Sequence, residues 1–306
     1  MISTITERLQ SGVELRSPFD PRSRWIYAIM ALWLIVGTPL FLSMHFRYEF
    51  DAAPAGGAVA LLVMCWAIRS LGWRRTSGGI ESFILAYFYG LPLTFVIYPL
   101  LAVSAPLADP WLAHADRLLG FNWFSFIGWF NAHRWTLPIM VWSYHAFFWQ
   151  LLIVFPMLWI FRHETRAWTF VTALLVAMTL VLLIYPFAPC DAAFVHYGVT
   201  QKQFPLSTDV PWTTSPIVRA FKSGDRLINA AAFKGIVTFP SYHTAMAVMA
   251  TWAGWSLKPL RYPVLALNAL MVVSCIVVGA HYLVDLLAGG AIGTLGIVIA
   301  KRLVHE

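Results

Sequence analysis

The feature that most constrains this chain is a succession of apolar runs, each close to the length needed to cross a bilayer. A spanning helix needs about 20 mostly apolar residues, since it rises about 1.5 Å per residue through about 30 Å of hydrocarbon. Eight segments meet or approach that length, at roughly 25–45, 56–72, 80–104, 136–161, 166–186, 239–257, 262–280 and 281–301. Inside lipid every backbone N–H and C=O must be satisfied within the protein, so such runs fold as helices. The expected fold is therefore all-α: a polytopic transmembrane helical bundle of about eight spans (six to eight), forming a single integral membrane domain over residues 1–306. Prolines within the runs (Pro39, Pro92, Pro99, Pro138, Pro156) are compatible with this, because neighbouring helices re-satisfy the freed carbonyls.

Composition removes the alternatives. Hydrophobic residues make up 59% of the chain and charged residues 11%, against about 25% charged in a soluble domain. That excludes a cytosolic globular enzyme and a disordered protein. A net charge of +7 does not make a nucleic-acid binder, because the charges are scattered between apolar blocks and not gathered on one face. Cys65, Cys190 and Cys275 show neither a CxxC pair nor metal-ligand spacing, and no disulfide framework is expected. The first apolar run is long enough to span and lacks a small-residue cleavage pattern, so it is expected to be a span and not a cleaved signal peptide.

Basic residues favour cytoplasmic loops. With both termini placed on the cytoplasmic side, thirteen of the 21 Lys and Arg fall on inner segments: Arg8, Arg16, Arg22, Arg24, Arg69, Arg74, Arg75, Arg162, Arg166, Lys258, Arg261, Lys301 and Arg302. The exception is the long connection 187–238, which is polar and basic on the outer side and carries Lys202, Arg219, Lys222, Arg226 and Lys234. Long loops escape the charge rule, and this one is expected to cover the site and to hold something anionic. The stretch 105–135, rich in Trp, Phe and Asn, reads as an interfacial or re-entrant segment.

Ionisable residues at membrane depth are costly and mark function by default. His243 lies in FPSYHTAMAVM at the outer start of the sixth run; His281 and Asp285 lie in GAHYLVDLLAGG at the outer start of the eighth. His243 and His281 are 38 residues apart, which accommodates one helix down, a turn at SLKPLRYP and one helix back. The two histidines therefore return to the same membrane face, and 239–301 forms the core catalytic helices. His281 and Asp285 are i, i+4 and share a helix face. A carboxylate beside an imidazole fixes its tautomer and stabilises its protonated form. Taken alone, each residue has a plainer reading: His243 as an interfacial packing residue, and Ser241, after Pro240, as a helix N-cap. No carboxylate–histidine cluster has metal-ligand spacing, so neither metal nor cofactor is expected.

PSYH followed by G-x-H-x-x-x-D resembles the second and third signatures of the type 2 phosphatidic acid phosphatase superfamily, P-S-x-H and S-R-x5-H-x3-D. The fuller wording FPSYHTAM with GAHYLVDLLAGG, together with DRLLGFNW upstream, looks most like the branch containing the aureobasidin-target inositol phosphorylceramide synthases. The resemblance covers 238–290 and, less closely, 105–125. It implies metal-independent phosphoryl transfer through a phosphohistidine. His281 would be the nucleophile, Asp285 would orient it, His243 would protonate the leaving oxygen, and Ser241 would hydrogen-bond the phosphate. The residue types suit that chemistry, since a neutral imidazole can attack phosphorus and a second can shuttle the proton.

Two departures from the signatures concern the anion cradle. The first signature, K-x6-R-P, is absent; the nearest string is Arg219-x6-Arg226 followed by Leu227, with Lys222 between. The Arg of the third signature is replaced by Cys275 after Ser274. Arg226 and Lys222, with Arg219 and Lys234 behind them, are the expected phosphate-binding residues. The expected activity is that of an integral membrane phosphatase or phosphotransferase on a lipid phosphate or phospholipid, with water or an alcohol as acceptor. A headgroup transferase of the synthase kind is the alternative. A non-catalytic lipid transporter or scramblase is the alternative of another class; it calls for polar residues through the depth of several spans, and few are present beyond His145 and Gln150. The absence of an N-x-S/T sequon and the short loops point to a bacterial inner membrane with the site facing the periplasm.

Overall fold

A computed structural model describes residues 19–49, 53–229 and 236–305. Each of the eight apolar runs is helical. They correspond to α1 (Arg24–Ser43), α2 (Ala53–Ser70), a broken pair α3 (Arg74–Phe88) and α4 (Gly90–Ala102), then, after two short helices α5 (Asp109–Leu118) and α6 (Trp123–Ala132), the long α7 (Leu137–Ile160) and α8 (Glu164–Ile184). The outer connection contributes α9 (Ala193–His196) and α10 (Val210–Lys222). The chain ends with α11 (Tyr242–Gly254), α12 (Arg261–Val277) and α13 (Leu283–His305). The one sheet among the described residues is a pair of three-residue strands, β1 (Arg47–Glu49) and β2 (Leu227–Asn229), parallel with Arg47 opposite Leu227.

Among the described residues, five helical stretches are long and apolar enough to cross a membrane: Pro21–Ser43, Arg74–Ala102, Arg134–Ile160, Glu164–Phe187 and Leu283–His305. Gly56–Ser70 and Arg261–Val277 are shorter apolar helices. The expected sixth span, 239–257, shrinks to the 13 residues of α11, or about 20 Å at 1.5 Å per residue. Its entry, Thr238 to Ser241, is non-helical backbone buried in protein. Such backbone is tolerated at depth only where the protein satisfies it. Here the Ser241 N–H donates to the Asp285 carbonyl at 3.1 Å.

The central helix is α8. Fourteen of its 21 residues are buried, from Ala167 to Leu182, so it is apolar on every side and surrounded. It packs on α13, α11, α3 and α1. By contrast α1 and α2 expose Leu32, Ile35, Val59 and Trp66, the side chains expected to meet lipid. The closest packing joins α11 to α13. A methyl group added at Gly289 would overlap the Ser241 carbonyl, and one at Gly293 would sit 2.6 Å from the Ala245 carbonyl. Small residues at this spacing let membrane helices approach backbone to backbone. Gly290, next to Gly289, has no atom near enough to matter.

The bundle has chemically distinct ends. Arg22, Arg69, Arg75 and Glu164 form ion pairs with one another and Asp20 at the end where α8 begins. Arg162, Arg166 and Lys301 lie beside them. The histidines lie at the other end, at the starts of α11 and α13.

Candidate active site

His281 sits in the non-helical stretch between α12 and α13. Five contacts fix this stretch. The His281 N–H donates to the Cys275 carbonyl at 3.1 Å and the Ala193 N–H donates to the Ala280 carbonyl at 2.7 Å. Trp123 Nε1 donates to the His281 carbonyl at 3.4 Å. The Tyr282 N–H donates to Asp285 Oδ2 at 2.9 Å, and the Tyr282 hydroxyl donates to Asp109 Oδ1 at 2.9 Å. Ala280 adopts φ 57°, the left-handed region that an L side chain enters only at a cost of roughly 1–2 kcal/mol. Strain of this kind persists where surrounding contacts over-determine the backbone.

The His281 ring is held at both nitrogens. Nδ1 lies 3.1 Å from Asp285 Oδ2. Nε2 lies 3.4 Å from Ser241 Oγ, with the Thr238 backbone also in reach of the ring. His281 and Asp285 are 2% and 0% exposed, so the pair is shielded from water. A carboxylate on Nδ1 requires the proton there and leaves the Nε2 lone pair directed at Ser241. Ser241 is the N-cap of α11: its Oγ accepts the Thr244 N–H at 3.3 Å and the Thr244 hydroxyl at 3.2 Å. Of the two readings of Ser241, the helix N-cap is the one present, at a helix N-terminus of the kind that suits an anion.

His243 lies in the first turn of α11. Its ring stacks on Tyr144 of α7, with centroids 4.3 Å apart and planes at 16°, and lies 4.9 Å from Phe147. Tyr144 and His281 both border the space above Gly279, and His243 and His281 are within electrostatic reach of one another. The structure thus brings His243, Ser241, His281 and Asp285 together. Tyr144, which orients His243, carried no sequence signal beyond being an aromatic residue in a span.

The predicted basic residues are placed differently. Arg219 pairs with Asp191, its Nε and Nη2 at 2.7 and 2.5 Å from Oδ2, and this partner raises the guanidinium pKa further. Lys222 Nζ donates to Ser104 Oγ and to the Ser104 and Ala105 carbonyls at 2.7–3.1 Å. Burial lowers its pKa, against the pull of Asp191. Arg226 turns away: Nη1 donates to the Phe221 and Asp225 carbonyls, and the guanidinium lies 5.1 Å from the Phe46 ring centre. Lys234 lies outside the described residues. Arg219 is tied to the site through Asp191, whose N–H donates to Asp109, the carboxylate that accepts the Tyr282 hydroxyl; the hydrogen bonds of Lys222 go to Ser104 and Ala105. Arg226 shows no contact with the histidines. Cys275, in place of the signature Arg, is buried beside Thr244, with Sγ donating to the Met271 carbonyl at 3.2 Å.

Two carboxylates outside the expected site residues organise the site. Asp116 caps α13 from a distance, accepting the Leu283 and Val284 N–H groups at 2.9 Å each, while its neighbour Arg117 bonds Tyr197. Asp109, seven residues earlier and so on the same face of α5, accepts the Asp191 and Ala192 N–H groups at 2.9 and 3.3 Å besides the Tyr282 hydroxyl. Two acids seven residues apart in DPWLAHAD, in a chain so poor in acids, were the available signal. Replacing Asp116 by Ala leaves two N–H groups at the head of α13 without their acceptor. A loss of about 2–6 kcal/mol is expected, at about 1–3 kcal/mol per unsatisfied donor, read as a lower unfolding temperature in detergent. An unchanged temperature would show that the cap is dispensable.

An all-α membrane bundle that gathers a buried His–Asp pair and a second His at one end defines a membrane-embedded site equipped for nucleophilic and proton-transfer chemistry. Residues 110–299 match the model of the PAP2 superfamily, and the chain belongs to that superfamily, the type 2 phosphatidic acid phosphatases. This makes it an integral membrane protein and supports an enzyme of phosphatase or phosphotransferase type with a lipid phosphate substrate. No curated protein and no solved structure matches the chain.

Proposed function

We propose that the protein cleaves a lipid phosphoester through a phosphohistidine on His281, without a metal ion. The observation that carries this reading is the placement of the His281 ring between Asp285 on Nδ1 and the Ser241-capped start of α11 at Nε2. A lipid tail enters from the bilayer while its phosphate meets Nε2. As the P–Nε2 bond forms, the ester P–O bond breaks, and the leaving alcohol takes a proton from His243. Asp285 stabilises the positive charge that develops on the His281 ring. His243 then takes a proton from the incoming hydroxyl, whose oxygen bonds to phosphorus as the P–N bond breaks. The amides at the start of α11 and the Ser241 hydroxyl receive the equatorial oxygens. Arg219, at the Asp191 edge of the site, and Lys222 supply the positive field, with Arg226 further out.

The acceptor distinguishes two versions of this chemistry. Water gives a lipid phosphatase. An alcohol gives a headgroup transferase resembling the inositol phosphorylceramide synthases, and the buried Cys275 in place of the phosphatase signature's Arg favours that second reading. By the basic residues at the far end of the bundle, the site faces outward, into the periplasm of a bacterial inner membrane.

The test uses purified protein in detergent with EDTA. A lipid phosphate and a labelled phospholipid are each supplied with and without alcohol acceptors, with His281→Ala as control. Free phosphate released without an acceptor and lost in the variant identifies a phosphatase. A new phosphodiester that requires the acceptor identifies a transferase. Turnover that persists in His281→Ala, or that vanishes only because EDTA is present, overturns the mechanism. His243→Ala is expected to slow esters of poor leaving groups by about 10²–10⁴-fold, the usual worth of general acid catalysis. Esters of good leaving groups, such as a nitrophenyl phosphate, are expected to lose much less. Equal losses for both would remove His243 from the role of proton donor.

A further inference from the structure

The end of the bundle opposite the histidines carries a second polar cavity. It is a bowl of about 340 Å³ between the start of α8, the end of α11 and the end of α13. Arg162, Arg166 and Lys301 line it, with Thr165 and Trp252. Its charge is one-sided. The only acid lining it, among the described residues, is Glu164, and both of its carboxylate oxygens are engaged: Oε1 accepts from Arg75 at 2.7 Å and Oε2 lies 3.9 Å from Arg22. Three cations therefore line one cavity whose single carboxylate is already paired with two other arginines.

The bowl is also built. Arg166 is half-buried and held in place. Its Nε and Nη2 both donate to the Trp252 carbonyl, at 3.2 and 2.5 Å, and its guanidinium lies 4.2 Å from the Trp252 ring centre. Lys301 Nζ lies 5.4 Å from the same ring. A guanidinium fixed in this way retains its Nη1 donors for a ligand. Arg162 occupies the turn between α7 and α8 with φ 61°, a conformation that would ordinarily call for glycine. The N-cap of α8, His163, makes no side-chain capping bond, and the first residues of the helix line the same cavity.

We propose that this bowl binds the phosphate of an anionic phospholipid headgroup in the leaflet opposite the catalytic histidines. The cavity sits where spanning helices end, at the depth of lipid headgroups, and a Trp forms its wall, as is usual at that interface. Basic pockets between the ends of membrane helices are suited to such headgroups. The site is separate from the chemistry: Lys301 is 18 residues along α13 from Leu283, or about 27 Å at 1.5 Å per residue.

The experiment compares wild type with Arg162→Gln/Lys301→Gln and with Lys258→Gln, a nearby basic residue outside the bowl. Both substituted side chains of the double variant are exposed, and unfolding temperatures check that the bundle is intact. Native mass spectrometry counts phosphatidylglycerol and phosphatidylcholine retained from mixed micelles. Wild type and Lys258→Gln are expected to retain phosphatidylglycerol preferentially. The double variant is expected to need at least tenfold more phosphatidylglycerol for the same occupancy, with lipid phosphate turnover unchanged. Arg166→Lys, which keeps the charge but loses the planar fork, gives an intermediate loss. Retention of both lipids alike, or equal retention by the double variant, would overturn the proposal. Stabilisation of wild type by inorganic phosphate, without retained phosphatidylglycerol, would replace the lipid with free phosphate as the ligand.

Discussion

Removing the His281 imidazole is expected to reduce lipid phosphoester turnover by about 10⁴-fold or more, the scale on which losing a covalent nucleophile acts. The expectation follows from geometry. Nε2 of His281 is the basic nitrogen left free by the Asp285 contact, and it faces the capped start of α11. His281→Ala leaves a small cavity among residues already held by backbone bonds, so the bundle is expected to stay folded. Rapid-quench experiments with a ³²P-labelled lipid phosphate test the intermediate itself. Wild type should accumulate label on protein that is stable to base and released by acid, as a P–N bond is. His281→Ala should carry none. Label that persists in the variant would move the nucleophile elsewhere, and turnover without label in wild type would favour direct attack by water.

The second large effect is expected at Gly289. A methyl group there meets the Ser241 carbonyl, which is backbone and cannot swing aside. The helices α11 and α13 must separate to admit it, at a cost of about 1–3 kcal/mol for overpacking. The same movement stretches the bond from the Ser241 N–H to the Asp285 carbonyl and the approach of Ser241 to His281. A displacement of about 1 Å at a reacting centre costs roughly 10²-fold in rate. Gly289→Ala is therefore expected to lower both the unfolding temperature and kcat. Gly290→Ala, one residue on, meets nothing and is expected to change neither. Matching behaviour of the two variants would show that the close approach of α11 and α13 does not set the site.

The two halves of the problem were unequally legible in the sequence. Helix positions were readable to within a few residues, because the length of an apolar run is fixed by the thickness of the hydrocarbon. The run 80–104 concealed a break at Tyr89, and 239–257 concealed the buried non-helical entry to α11. Neither changes hydrophobicity, so neither is visible to it. The histidines and Asp285 were legible because one hairpin of chain decides the face to which they return. The expected shared helix face is not what joins His281 to Asp285: His281 precedes the first turn of α13 and meets the carboxylate from the non-helical stretch before it. The supports were not. Asp116 finds its donors 167 and 168 residues away, and Arg226 leans on Phe46. Partners of that kind are chosen by the tertiary fold, and local patterns carry no record of them. Arg226 had the right spacing from Arg219, yet it closes the end of its own helix.

The packing of the interior bears on how such a chain could be altered. Buried apolar residues fall into two clusters. The one that surrounds His281 and Cys275 includes Leu112, Trp123, Phe194, Tyr282 and Leu286, and no residue in it precedes Ala108. The first hundred residues belong to the other cluster, with α8 and α11, and reach the outer connection through the pairing of β1 with β2. Tyr89 also donates its hydroxyl to that of Tyr242, the residue between Ser241 and His243, at 3.1 Å. The histidine end of the bundle is thus lined by the chain from Ala108 onward and backed by α1–α4. Exchanging α1–α4 for another set of helices would act as a change of backing wall, felt at the histidines through Tyr242.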